Sequence, residues 1–400
     1  MGIIQEQHPD RCRLFMQWKE MDWPILVDAL KLYGVDAVPI TYAIDEAGIV
    51  RAVNPKPADL DAFLERPAPA STARPAPALA PDLARLRAAT GADSSAAWRA
   101  YADALFLWGG DGRLGEAIAG YERALGLAPG DGPAKFRLGV AFRRRHDSDA
   151  REPGDFQSAA LHWAAALESD PNQYIWRRRI QQFGPRLDKP YPFYDWVEEA
   201  RAAIRARGEE PSLLVTEPSG SEIAAPAERF VADDGSTREP DPGGRVRRDT
   251  GRLIRVEAAV VPPSIGPGGV ARAHVLFRAD AGHEAHWNNE AEPLRVWLIP
   301  PAGWSVDRRE ARAPQAATAV STEPREVQFE LKAPPVLEGR TVEVPGYALY
   351  YVCQEADGVC LFRRQDFVLP VGVSGAPPPG ETGRRQSRFS RWSAASTRNR

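Results

Sequence analysis

The chain is predicted to be multidomain, with an N-terminal α/β region, an all-α middle and an all-β C-terminal region. Three observations predict this. Its 400 residues exceed what a single core usually organises and correspond to about two to four domains. Two stretches rich in proline and in small or polar residues interrupt the apolar pattern. The period of that pattern also changes along the chain: mixed at the start, helical in the middle and close to two toward the end.

The first break, residues 67–82, is a Pro/Ala tract of the kind that forms an extended, semi-rigid linker. The second, residues 209–250, is rich in Pro, Gly, Ser, Asp and Arg from residue 216 onward and reads as another linker. The last residues, 376–400, contain Pro377-Pro378-Pro379-Gly380 and are otherwise basic and Ser-rich, with Glu381 the lone acid. Such a segment cannot bury enough apolar surface to offset its ordering, so it is expected to be disordered. Three folded regions remain: 1–66, 83–208 and 251–375.

In the first region, Gly2 to Ile4 reads as the end of a strand. Asp10 to Met21 reads as a helix with Leu14, Phe15, Trp18 and Met21 on one face. Pro24 to Val27 is a short strand, and Ile40 to Ile44 and Ile49 to Val53 form a hairpin around Asp45-Glu46-Ala47-Gly48. A final helix runs from Pro57 to Glu65, proline being suited to a first helical turn. The run Gly34-Val35-Asp36-Ala37-Val38-Pro39-Ile40-Thr41-Tyr42-Ala43-Ile44-Asp45 resembles the C-terminal half of thioredoxin-fold redoxins of the TlpA and alkyl-hydroperoxide-reductase type. That resemblance implies a cis Pro39, with Val38 presenting backbone groups to a substrate. It also implies a catalytic cysteine after an earlier central strand, and this chain begins after that unit. Cys12 lies on the following helix without a Cys-x-x-Cys partner and reads as a packed or surface thiol. A sheet lacking its central strand leaves an unpaired edge. Met1 is therefore expected to be an internal methionine of a longer protein.

The second region carries a repeat. Ala117, Tyr121, Ala124 and Pro129 recur at the same separations as Ala159, Trp163, Ala166 and Pro171, with Leu138, Gly139 and Phe142 ahead of the second set. The spacing resembles tetratricopeptide repeats, in which small residues let paired helices approach and proline ends the second helix. The offset between Pro129 and Pro171 exceeds the usual period of about 34 residues, and the polar stretch Arg144 to Asp155 accounts for the excess. A capping helix runs through Arg207. Trp98, Tyr101, Phe106 and Trp108 read as packing residues rather than a ligand box.

The third region alternates or runs apolar between Pro/Gly turns at Arg255–Val261, Ala271–Arg278, Leu294–Leu298, Glu326–Leu331 and Phe367–Val371, which argues for a β-sandwich. Near its end, apolar runs flank Cys353 and Cys360, and Asp357-Gly358 is a turn dipeptide. A symmetric hairpin folding over Glu355 to Gly358 pairs Gln354 with Val359 and sets Cys353 opposite Cys360. The Cα atoms of a non-hydrogen-bonded antiparallel pair lie about 4.5 Å apart, within reach of a disulfide. Glu355 and Asp357 disfavour a thiolate there, whereas Arg363 and Arg364 favour one.

Ile265-Gly266-Pro267-Gly268-Gly269, Pro293-Leu294-Arg295-Val296-Trp297, Pro301-Ala302-Gly303-Trp304 and the cysteine hairpin together resemble the N-terminal periplasmic domain of the thiol–disulfide interchange protein DsbD. The resemblance implies an immunoglobulin-like sandwich whose Cys353 and Cys360 exchange electrons with a redox partner protein, thioredoxin-like or a membrane thiol donor. The cysteines stand one residue further apart than that family's pattern, and Asp307 to Pro314, where it carries an aromatic cap, holds no aromatic residue. The rival reading is a structural disulfide stapling the hairpin. A further alternative joins His283 and His286 to the cysteines as zinc ligands, but the spacings are not finger-like and no metal is expected.

Composition narrows the classes. A net charge of -3 supplies no global field for nucleic acid or an anionic membrane. No apolar run is long enough for a spanning helix. No phosphate loop, Rossmann fingerprint, Ser-His-Asp set or general-acid/base pair is present, and no cofactor is expected. The expected function is thiol–disulfide exchange, with the helical repeats holding a protein ligand. The alternative is a non-catalytic binding scaffold. Exchange chemistry of this kind operates outside the cytoplasm, so the location is extracytoplasmic if the start is internal and cytoplasmic if Met1 is genuine.

Overall fold

The computed structural model describes residues 1–5, 8–34, 40–46, 48–66, 80–186, 196–214, 230–337, 339–354 and 358–374. Within them the chain is mixed α/β, with nine helices of α type and several sheets. The N-terminal elements are β1 (Gly2–Ile4), α1 (Asp10–Trp18), β2 (Ile25–Val27), β3 (Tyr42–Ile44), β4 (Val50–Val53) and α2 (Pro57–Leu64). β1 and β2 pair in parallel across α1, whereas β3 and β4 form a separate antiparallel pair. Helix α1 ends three residues before Met21, and Glu20 takes a left-handed φ of 53°. Among the described residues both two-stranded sheets leave apolar side chains exposed, namely Ile3, Leu26, Val27, Ile44, Val50 and Val53, although Ala43 of β3 is buried.

The middle of the chain contains α3 (Leu83–Ala89), α4 (Ser95–Trp108), α5 (Leu114–Leu127), α6 (Gly132–His146), α7 (Asp155–Ser169), α8 (Tyr174–Phe183) and α9 (Trp196–Ala206). Local chemistry starts these helices where backbone donors lack partners. Asp82, Ser94 and Asp131 each accept a hydrogen bond from the backbone N–H of the third residue on. The repeat residues face inward: Ala117, Tyr121, Ala124, Ala159, Trp163 and Ala166 are fully buried. At Gly139 a Cβ would lie 2.5 Å from Trp163 Cδ1, so a glycine is what lets α6 and α7 approach. Arg144 to His146 belong to α6, so the loop before α7 is shorter than the sequence suggested. Tyr101 and Phe106 are buried as packing residues, whereas Trp108 is 55% exposed.

The helices hold the N-terminal elements at two places. Leu30 is buried in the helical core, its carbonyl accepting from Arg137 Nε at 3.2 Å. Leu14 packs with Val197, Ala200 and Ile204 of α9, and Trp18 stacks on Trp196.

The C-terminal strands are β5 (Ile254–Val261), β6 (Ser264–Ile265), β7 (Val270–Ala279), β8 (Ala285–Asn288), β9 (Arg295–Leu298), β10 (Ser305–Val306), β11 (Glu310–Arg312), β12 (Val320–Ser321), β13 (Arg325–Lys332), β14 (Thr341–Gln354) and β15 (Cys360–Val373). They form a four-stranded sheet, β10-β13-β7-β5, and a larger one, β11-β9-β14-β15-β6, to which β8 and β12 attach beside β14. Side chains of both sheets share one apolar core that includes Phe277, Phe329, Trp287, Tyr350 and Val352. The four-stranded sheet is covered on its other face as well, since Ala259 and Val261 pack into the helical core. Double coverage explains why β7 is buried nearly throughout instead of alternating. Residues 239–249, expected as linker, lie against β14 and β15. There Asp241 accepts from Arg364, the Asp249 N–H donates to the Arg364 carbonyl, and the Arg364 N–H donates to the Arg247 carbonyl, a parallel bridge onto β15.

Candidate functional site

β14 and β15 pair without a break from Thr341 opposite Gly372 to Cys353 opposite Cys360. That unbroken register places the cysteines face to face beside the connecting turn, at the closed end of the hairpin. The pair is joined as a disulfide with a Cα separation of 4.0 Å, the short spacing of a non-hydrogen-bonded pair. The backbone N–H and C=O of Cys353 consequently point the other way, toward β8, where Cys353 is in register with His286. Directly opposed residues project from the same face of a sheet. Cys360, Cys353 and His286 therefore form a row across three strands.

Two residues along on the same face stand Tyr351 and Phe362, with ring centroids 4.6 Å apart. The opposite face carries Tyr350, Val352 and Trp287, all buried in the core. Burial divides the disulfide: Cys353 is 2% exposed, whereas Cys360 is open to solvent beside Val359 and Phe362, which are 74% and 39% exposed. A nucleophile from solvent thus meets the Cys360 sulfur first, with Cys353 as the leaving sulfur.

The charges near the pair are largely committed. Arg364 bonds Asp241 at 2.9 Å and Asp366 at 2.8 Å, and its guanidinium lies 3.7 Å above the Tyr347 ring. Burial opposes the Arg364 charge, but these two carboxylates hold its pKa above the ordinary value. Burial likewise pushes the Tyr347 phenol to about 12, and burial together with Asp249 raises Tyr350 further. Arg364 is therefore tied to the strap at 239–249 and is not available to a Cys353 thiolate. Arg363 donates to the Phe362 carbonyl at 3.2 Å. Glu355 and Asp357 lie outside the described residues, as do Val38 and Pro39. Cys12, on α1, is partly exposed and is not part of a disulfide.

The sequence placed the two cysteines opposite each other but missed what flanks them. Residues 282–289 are not among the expected strands, although Ala285 and Trp287 alternate with His286 and Asn288, and that alternation was the available strand signal. β11, at the position of the family's cap, is in register with Arg295 to Trp297 and not with the cysteines. His283 turns to Asp280 at 3.3 Å, away from His286. Among the described residues, no group of three or more His, Cys, Asp or Glu side chains is arranged to hold a metal ion. None of their helices is long and apolar enough to cross a membrane.

A second cluster of ionisable groups occupies the seam between α6, α7 and the four-stranded sheet, in a cleft lined by His146, Phe156, Gln157, Glu257, His274 and Glu326. His274 places Nδ1 2.8 Å from Glu326 and Nε2 2.8 Å from the Phe183 carbonyl. Burial and then Arg143 hold His146 neutral, at about 3. Burial alone would raise Glu326, but the bond and charge of His274, with Arg143, outweigh it and bring the carboxyl to about 2. These contacts run between the helices and the sheet, so the cluster joins parts of the fold.

No family model matches this chain, and no curated protein matches it in sequence. Among solved structures, AvmM, which catalyses macrocyclization in alchivemycin A biosynthesis, is similar at 13% identity over 33% of this chain and 97% of AvmM, with a TM-score of 0.20. Spo0M, a sporulation control protein from Bacillus subtilis, is similar at 13% identity over 31% of this chain and 51% of its own length, with a TM-score of 0.17. The chain thus spans about half of Spo0M. Likeness at these TM-scores carries no argument about fold or function.

Proposed function

We propose that this chain is a thiol–disulfide exchange protein whose working group is the Cys353–Cys360 pair. In this reading the two facing sheets are an immunoglobulin-like sandwich of the DsbD N-terminal type. The helices are tetratricopeptide-type repeats, and the N-terminal elements are a thioredoxin-like half that docks on them. The observation that carries the reading is the asymmetry of the disulfide, one sulfur exposed beside an apolar rim and the other buried. A purely structural staple has no need of that arrangement.

Reduction proceeds by attack of a partner thiolate on Cys360 Sγ. The sulfur–sulfur bond breaks, its electron pair leaves with Cys353, and a mixed disulfide forms between Cys360 and the partner. A second partner thiol then attacks that mixed disulfide and releases Cys360. The balance is two electrons from a dithiol partner, thioredoxin-like or a membrane thiol donor. Val359, Tyr351 and Phe362 are the surface such a partner would cover.

Counting free thiols of the full chain across defined glutathione ratios tests the proposal. A potential in the range of known exchange proteins, about -120 to -270 mV, is expected. A pair that stays oxidised below about -300 mV is a structural bond and refutes it. The scaffold reading has one observation in its favour. The helical face that would take a partner already holds Leu30 and Lys31, the latter bonded to Gln173 at 2.5 Å.

A further inference from the structure

We propose that His286 is the acid–base partner of the Cys353 sulfur. The inference rests on the exchange reading above and adds the group that manages the proton. Its basis is the row Cys360–Cys353–His286 across three strands. Cys353 makes its non-hydrogen-bonded pair with Cys360, so its pairing with His286 is the hydrogen-bonded type, with Cα atoms about 5.5 Å apart. Cβ atoms of directly opposed residues lie within about 5.5 Å, side by side on one face.

The neighbours of His286 keep it on that face. Trp287 is fully buried in the core, and its indole N–H donates to the Glu323 carbonyl at 2.9 Å. The Arg325 guanidinium stacks 4.5 Å from the same ring. With Trp287 anchored inward, the residue before it must project outward, beside Cys353. The imidazole is also set in orientation, because its Nδ1 lies 3.3 Å from the Glu284 carbonyl. A carbonyl only accepts, so Nδ1 carries the hydrogen and Nε2 is the nitrogen left to exchange a proton.

The chemistry balances in both directions. When a partner thiolate opens the disulfide at Cys360, the departing Cys353 sulfur carries the electron pair, and the imidazolium gives it the Nε2 proton. In the reverse direction neutral Nε2 removes the Cys353 proton. The resulting thiolate attacks Cys360 in its mixed disulfide and expels the partner thiolate. Neutral imidazole is regained by exchange with water. Among the described residues, the ionisable groups on elements packed against His286 are Tyr351 and Cys353 of β14, Cys360 of β15, and Glu284 with the His283–Asp280 pair in the preceding turn. β12 contributes Val320 and Ser321, and Glu323 beyond it is paired with Arg325. None of the committed cations described above competes for the Cys353 sulfur.

The test uses the full chain with dithiothreitol as the reductant, following the reduction rate from about pH 5 to about pH 9 and, in the reduced protein, thiolate absorbance against pH. The His286→Gln variant is expected to slow reduction about tenfold or more near neutral pH. It should also move thiolate formation upward by about one pH unit or more, the loss of an adjacent positive charge. His286→Arg keeps a fixed positive charge, so thiolate formation should stay low while the histidine inflection in the rate profile disappears. Wild-type profiles in His286→Gln overturn the proposal. So does equal slowing in both variants with the pH profile unchanged, which marks a merely structural role. If the wild-type pair is not reduced at all, the exchange reading falls and this inference with it. Brisk wild-type exchange with an indifferent His286→Gln removes only the inference.

Discussion

Replacing His274 with Phe should loosen the seam between the helices and the four-stranded sheet, and the loss should be largest at neutral pH. Phenylalanine keeps the buried ring and its packing on Phe156, at 5.0 Å between centroids, but supplies no donor. Two acceptors then lose their partner, the Phe183 carbonyl and the Glu326 carboxylate, each 2.8 Å from the imidazole. An unsatisfied buried carbonyl costs about 1–3 kcal/mol. For Glu326, the drop from the ordinary 4.5 to about 2 corresponds to about 3 kcal/mol at about 1.4 kcal/mol per pH unit. The side chain is 28% exposed, so solvent screening leaves about half of that. Arg143 and Gln328 retain a share, which brings the net loss to about 3 kcal/mol at pH 7. The sign follows from the depressed carboxyl: its contribution is complete above about 4.5 and is lost as pH falls through about 2. The deficit of the variant should therefore shrink toward the carbonyl share on acidification. His146 and His8 are held neutral by burial and destabilise both proteins as they charge in acid. The difference between variant and wild type is thus the informative quantity. Hydrogen exchange of amides in α8, β7 and β13, with urea unfolding at about pH 7 and about pH 3, measures it. A deficit under about 0.5 kcal/mol at pH 7, or one that does not change with pH, refutes the reasoning.

Further outcomes follow from packing. Gly139→Ala should destabilise the helical region by about 1 kcal/mol, since an overpacking cost of about 1–3 kcal/mol against Trp163 exceeds the roughly 1 kcal/mol gain in helix propensity. Gly126→Ala, with nothing within 4 Å of the added carbon, should stabilise α5 by about 0.5–1 kcal/mol in the same urea titration. Leu30→Ala should release the N-terminal elements from the helices at a cost of about 2–5 kcal/mol. The release would appear as faster hydrogen exchange across β1 and β2 with α7 unchanged, and equal protection in both proteins would contradict it.

What the sequence determined by itself is what short-range geometry controls. The matched separations of Ala117, Tyr121, Ala124 and Ala159, Trp163, Ala166 identify a buried helical stripe, because residues three and four apart share one face whatever surrounds them. Cys353 and Cys360 could be set opposite each other because one hairpin contains the whole pairing. Strand positions within β5, β7, β13 and β15 follow in the same way from alternation or short apolar runs between turns. Only the tertiary structure decided which strands meet. That β8 lies against β14, bringing His286 beside Cys353, depends on Trp287 finding the core, a contact spanning more than sixty residues of chain. The strap at 239–249, with its Asp241 and Asp249, carries no periodic signal, since its hydrogen bonds go to a strand more than a hundred residues later. The docking of Leu30 onto the helices and the burial of His274 between helix and sheet are of the same kind. Local spacing reports which face of an element is apolar, whereas long-range packing chooses what that face meets.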